Sequence, residues 1–305
     1  MRVAVFGAGG VGGYFGARLA RGGADVHLIA RGEHLKALRS RGLRVLSGSG
    51  NVDVALPATD RPEEVGAVDV VLFCVKSNDT ERAARRSPPL LHRATAVITF
   101  QNGVDNEEKI ASILGPGHVC GGVAYIMATI SAPGEITHVG KLARLLFGEL
   151  DAPRSERLAS LHALCTASGI DAELSEDIRQ ELWRKFAMIC AAAGMTAAVR
   201  LPIGEIRDSP EAFAMFERIS REITELGQKE GVPLPDDTPQ RIVELTRSLP
   251  ADMYSSLHYD LTHGKPMELD ALHGTVVRLA RRHRLPVPAS EAVLAILEPW
   301  ARRNN

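Results

Sequence analysis

Apolar and polar positions along the 305-residue chain fall into two regimes. Residues 2 to 6 (Arg-Val-Ala-Val-Phe) predict a short strand, and from Gly10 to Arg21 the apolar residues return at helical spacing. Gly22-Gly23 closes that helix, and Val26 to Ala30 predicts a second strand, completing a βαβ unit in about thirty residues. Leu43 to Leu56 alternates around Ser47-Gly48-Ser49-Gly50 and predicts an antiparallel hairpin. Val68 to Val75 and Ala94 to Phe100 are nearly continuous apolar runs, as expected of parallel strands buried on both faces. From about Asp177 the pattern turns helical, through Phe213 to Glu230, Pro239 to Leu249, Met267 to Arg284 and Ser290 to Arg303. Two domains are expected: an α/β domain over residues 1–175 and an all-helical domain over 176–305.

Composition narrows the function classes. With 36 basic and 37 acidic residues, no global field draws the chain toward nucleic acid or an anionic membrane, and a small ligand is the expected partner. The 45% hydrophobic content excludes disorder. No uncharged apolar run reaches the roughly 18 residues of a membrane span, and the longest, Phe186 to Val199, reads as a buried helix. The apolar N-terminus carries glycines at fixed offsets, which a secretory signal does not need. Cys74, Cys120, Cys165 and Cys190 are scattered, with no CxxC pair, and fit buried, reduced thiols in a cytoplasmic protein. His258 and His263 belong to no HExxH motif, so no metal site is expected.

The chemistry starts at Gly7-x-Gly9-x-x-Gly12, which lies after a strand and opens a helix. Its spacing serves a tight turn, backbone approach to a pyrophosphate and close packing of helix on strand, so the first domain reads as Rossmann-like. Gly7, Ala8, Gly9, Gly10, Val11 and Gly12 are the candidate phosphate cradle. After the second strand an NAD site usually places an acid; here Arg31 follows, and a guanidinium suits a 2′-phosphate, favouring NADP (NADPH). The alternative is a solvated Arg31 with Asp25 serving as the acid, although Asp25 starts the strand. Lys76 and Gln101-Asn102-Gly103 directly follow the two buried runs, at the strand ends where open α/β sheets bind ligands. Taken singly, they are a loop charge and turn chemistry.

These features, together with Leu182-Trp183-Arg184-Lys185-Phe186, Ser255-Ser256-Leu257, Glu268-Leu269-Asp270 and Pro286-Val287-Pro288, resemble the ketopantoate reductase family over nearly the whole chain. The resemblance implies a Rossmann-like domain, a helical domain and an active site in the cleft between them. It implies NADPH-dependent reduction of a 2-oxo acid, 2-dehydropantoate to pantoate on the route to pantothenate. It makes Lys185 the proton donor, Lys76 a second positive group, Asn102 a contact for both cofactor and substrate, and Ser256 a partner of the substrate carboxylate. Glu268 would hold the lysine or a cofactor group, and Ala128 would let backbone approach the nicotinamide ribose. Without the resemblance, Lys185 reads as a solvated helix residue, Ser256 as a helix cap and Glu268 as a solvated first-turn acid. Gly264-Lys265-Pro266 should break any helix between the last two. In related folds such a helical domain often dimerises, so a homodimer stays open.

One departure bears on substrate. Family reductases carry asparagines four, eight and eighteen residues after the lysine, where this chain has Ile189, Ala193 and Ile203. Loss of groups that pair a substrate hydroxyl weakens discrimination for it. Reduction of a less polar 2-oxo acid is therefore one alternative, and an NADP(H)-binding redox sensor without turnover is another.

Overall fold

A computed structural model describes residues 1–151 and 154–304. The chain divides into two compact units, one of Met1–Gln101 with Asn106–Ile178, the other of Asn102–Asp105 with Arg179–Asn305.

The first unit runs β1 (Arg2–Phe6), α1 (Gly10–Arg21), β2 (Asp25–Ile29), α2 (Gly32–Arg41), β3 (Leu43–Ser47), β4 (Val52–Val54), β5 (Ala58–Thr59) and β6 (Val70–Phe73). It continues through α3 (Thr80–Arg86), β7 (Ala96–Thr99), α4 (Asn106–Leu114), β8 (Val119–Ala132), β9 (Glu135–Glu149), α5 (Glu156–Ala167) and β10 (Asp171–Leu174). One mixed sheet has the order β4-β3-β9-β8-β7-β6-β1-β2-β5, with β10 beside β9. From β5 to β8 every pairing is parallel, and β1 lies between β2 and β6. Every residue of β6 and β7 is buried, which is why both read as unbroken apolar runs. The predicted hairpin is β3 with β4, pairing antiparallel from Leu43 opposite Val54.

The sequence pattern did not mark the long antiparallel pair of β8 and β9. Residues 119–124 of β8 are buried without alternation, whereas most of 127–132 are exposed, so the strand shows neither one apolar run nor one period. Bulges interrupt its register with β9 between Ile126 and Met127 and between Ile130 and Ala132.

The second unit is helical: α6 (Ile178–Val199), α7 (Ile203–Asp208), α8 (Pro210–Lys229), α9 (Thr238–Ser248), α10 (Ser256–Thr262), α11 (Thr275–His283) and α12 (Pro288–Asn304). The single helix expected from Met267 to Arg284 is shorter: regular structure begins with a π turn over Asp270–Gly274 that leads into α11. The physical reason lies upstream, where Gly264 takes φ +61° and Pro266 can donate no backbone hydrogen bond. By length and composition α6 could cross a membrane, yet 67% of its most apolar window is buried. Phe186, Cys190 and Ala197 of α6 belong to the core that also takes Phe216, Ile223 and Val276. Buried Glu222 of α8 accepts hydrogen bonds from the amides of Ala289 and Ser290 at 2.8 and 2.9 Å, and from the Ser290 hydroxyl at 2.8 Å. A carboxylate thus satisfies first-turn amides of α12 that have no partner within the helix.

All four cysteines are free, and three are buried. Burial pushes the thiols of Cys74 and Cys165 up to about 12, so neither carries thiolate chemistry near neutral pH.

Candidate active site

Three parallel strands bring the nucleotide-binding features of the first unit to one edge. Gly7 leaves β1 at φ +101°, and a Cβ there would lie 2.8 Å from the Cys74 carbonyl. A Cβ on Gly10 would sit 1.9 Å from the Ala128 carbonyl oxygen, and one on Gly12 2.2 Å from the Gly7 oxygen. Backbone thus packs directly on backbone where α1 meets β8 and the loop. Gly9 is different: nothing lies within 4 Å of a Cβ built there. It also caps α1 without any side-chain hydrogen bond, leaving first-turn amides for an anion. Open space at Gly9, an uncapped helix start and tight packing on either side suit a dinucleotide pyrophosphate. Ala8 is buried and Val11 half-buried beside these glycines.

His34 of α2 supports the loop. Its Nε2 hydrogen-bonds the Ala8 carbonyl at 2.8 Å, while the Gly134 amide donates to its Nδ1 at 3.0 Å. An Nδ1 that accepts is unprotonated, so the ring is neutral with its proton on Nε2. Burial lowers its pKa from 6.5, opposed by the Ala8 carbonyl.

Arg31 lies two residues past the end of β2 and caps the start of α2. Its Nη2 donates to Asp79 Oδ2 at 2.6 Å. Asp25, the alternative acid, is the first residue of β2, where it pairs with Arg2 at 3.4 Å and His27 at 3.0 Å. That location, at the opposite end of the strand from Arg31, removes it as the acid for a ribose hydroxyl.

Lys76 is exposed and follows β6 by three residues. Buried Gln101 ties the ends of β6 and β7 together: its Nε2 donates to the Val75 carbonyl at 3.0 Å and to Thr80 Oγ1 at 2.8 Å, and its Oε1 accepts from Thr99 Oγ1 at 3.0 Å. The backbone that carries Lys76 is therefore fixed by hydrogen bonds from Gln101 on either side of it.

In the second unit, Lys185 lies on α6 with only 9% of its surface exposed. Its Nζ donates to Asn102 Oδ1 at 3.1 Å. Burial pushes the ammonium down from 10.5 to about 8, and the Glu268 carboxylate opposes that shift. Glu268 is itself buried, so the reading as a solvated acid fails. Ser256 occupies the exposed first turn of α10, but the cap is Ser255, which accepts from the His258 amide at 3.1 Å and from Thr196 Oγ1 at 2.7 Å. The cap reading therefore belongs to Ser255. One and two turns beyond Lys185 on α6 come half-buried Ile189 and buried Ala193, whereas Ile203 is fully inside the core.

The structure gathers Lys185, Asn102 and Glu268 in one unit, and the glycine loop, Arg31 and Lys76 at the strand ends of the other. Sequence reasoning gave no role to His34, Gln101 or Asp79. Gln101 belongs to the Gln101-Asn102-Gly103 segment after β7; His34 and Asp79 act on residues 26 and 48 positions away, which no local pattern reveals.

Residues 3–152 match the family model described as ketopantoate reductase PanE/ApbA, and residues 177–300 match that family's C-terminal model. A 2-dehydropantoate 2-reductase of Mesorhizobium japonicum is 33% identical, covering 99% of this chain and 98% of its own. A Bacillus subtilis protein named uncharacterized oxidoreductase YkpB is 32% identical over 98% of this chain and 99% of its own. The crystal structure of a PanE/ApbA family ketopantoate reductase from Ralstonia eutropha superposes with a TM-score of 0.91 at 35% identity, covering 100% of this chain and 99% of that one.

Proposed function

The chain belongs to the ketopantoate reductase family, and from that premise we propose that it is an NADPH-dependent reductase of a 2-oxo acid. The first candidate reaction is 2-dehydropantoate to pantoate, in the cytoplasm, on the route to pantothenate. The observation that carries this reading is Lys185, a buried amine that donates to Asn102 Oδ1, is pushed down to about 8 by its burial and feels the Glu268 carboxylate.

A nicotinamide dinucleotide, when bound, supplies hydride to the carbonyl carbon. The first-turn amides of α1 and the open side of Gly9 would hold its pyrophosphate. Small Ala128 would leave room for the nicotinamide ribose, and Arg31 would hold a 2′-phosphate as a charge-assisted pair. Reduction leaves negative charge on the substrate oxygen, and Lys185 gives that oxygen its proton. An ammonium lowered to about 8 remains mostly protonated at neutral pH and releases its proton more readily than a solvated lysine. Asn102 Oδ1 accepts from Nζ and so orients the amine, while Glu268 keeps it charged despite its burial. Lys76 offers a second positive group and Ser256 a hydroxyl to the substrate carboxylate.

The apolar pair Ile189 and Ala193 favours a second reading of substrate. These side chains cannot hydrogen-bond a substrate hydroxyl, so a 2-oxo acid without one should be turned over comparably. The test is NADPH consumption with 2-dehydropantoate and with 2-oxoisovalerate. We expect kcat/KM values within about tenfold of each other, given what one unpaired hydroxyl contributes. A preference for 2-dehydropantoate of a thousandfold would remove the second reading. Dinucleotide binding without consumption on any 2-oxo acid would leave only the redox sensor.

A further inference from the structure

We propose that Asp79 sets the selectivity between NADPH and NADH, acting as the ribose-facing acid that the end of β2 lacks. The inference rests on the cofactor reading of Arg31 given above. In dinucleotide folds the residue after the second strand meets the adenosine 2′ position: an acid accepts from a 2′-hydroxyl, an arginine pairs with a 2′-phosphate. This chain places both charges there, from different elements. β2 and β6 flank β1 and run parallel to it, so their carboxyl ends lie two strand spacings apart, about 10 Å. Arg31 extends from one end and Asp79 from the other, on the turn Ser77–Asp79 after β6, and they meet at 2.6 Å.

The carboxylate is held from both sides: Oδ2 accepts from Arg31 and Oδ1 from Arg82 of α3. The Asp79 side chain is 26% exposed against 58% for Arg31, so the acid is the more fixed partner and the guanidinium the more available one. A 2′-phosphate that engaged Arg31 would carry nearly two negative charges to within one guanidinium of a fixed carboxylate. Repulsion at that separation in a solvated site amounts to roughly tenfold in affinity. A ribose 2′-hydroxyl meets no such repulsion and can donate to Asp79. Arg31 therefore favours NADPH, and Asp79 limits how far.

The experiment is calorimetric titration of NADPH and NADH into the full-length protein and its Asp79→Asn and Arg31→Ala variants. Asparagine keeps the size of the side chain, so folding is retained while the charge is removed. For Asp79→Asn we expect NADPH to bind about tenfold tighter while NADH binds equally or more weakly, widening the ratio of the two Kd values. The gain should shrink as salt is raised, because the repulsion is screened. Equal changes in both Kd values, or weaker NADPH binding, would overturn the proposal and leave Asp79 a structural partner of Arg31 and Arg82. The underlying reading fails separately: if Arg31→Ala leaves the NADPH-to-NADH ratio unchanged, or if the unmodified protein binds neither dinucleotide, the cofactor site is wrong.

Discussion

Replacing Lys185 by methionine is expected to cripple 2-oxo acid reduction and to change how the melting temperature depends on pH. The amine is buried, and burial pushes its pKa down from 10.5 to about 8, a destabilisation on the order of 3 kcal/mol. Because the unfolded chain binds the proton more tightly, that cost is present at every pH below about 8 and disappears as pH rises toward 10.5. Methionine fills a similar volume without charge, so that cost is removed, but Asn102 Oδ1 loses its donor and the buried Glu268 carboxylate loses its cation. Against the parent, the variant's melting temperature should therefore stand highest below pH 8 and lose ground as pH rises toward 10.5, a comparison read by calorimetry. Loss of the proton donor should lower kcat at least a hundredfold. A residue kept only for stability would leave turnover intact.

The second large effect is expected at the glycine loop, where two substitutions separate packing from ligand binding. Gly10→Ala drives a methyl group to within 1.9 Å of the Ala128 oxygen, a contact that only displacement of α1 from β8 can relieve. Overpacking of this kind costs about 1 to 3 kcal/mol or more, so melting should fall by several degrees and dinucleotide affinity at least tenfold. Gly9→Ala meets no atom within 4 Å, and its φ of −77° is ordinary for alanine. Its melting temperature should stay within about a degree of the parent, whereas affinity falls because the added methyl group occupies the space a pyrophosphate needs. Equal affinity for the Gly9→Ala variant would place the phosphates elsewhere.

How far the sequence foretold this arrangement depended on the range over which each signal acts. The opening βαβ unit was legible because the glycines, the helix and the flanking strands lie within thirty residues, and each offset has a local steric meaning. The β6 and β7 strands were legible because burial on both faces leaves an unbroken apolar run. The β8 and β9 pair was not, since its burial changes along its length and bulges shift its register. The start of the helix ending at His283 was misread because apolar Met267 and Leu269 continue a helical spacing that Gly264 and Pro266 prevent. Among the site residues, Lys185 carries a charged neighbour, Arg184, and by itself reads as a surface lysine; only tertiary packing makes it buried. Glu268 taken by itself likewise reads as a solvated acid, and only packing buries it. Arg31 was found at its expected offset after β2, but its partner Asp79 comes from the far side of β1, a juxtaposition that exists only once the sheet has formed.

The most direct test of the central claim is the pH dependence of hydride transfer, measured in a single turnover of bound NADPH with a saturating 2-oxo acid. If Lys185 supplies the proton, the rate is highest where its amine is charged and declines above a pH near 8. Lys185→Ala should then show a residual rate at least a hundredfold lower, with no decline in that range. A Lys185→Ala variant that reduces the substrate within a few-fold of the parent rate, with the same pH profile, would contradict the account.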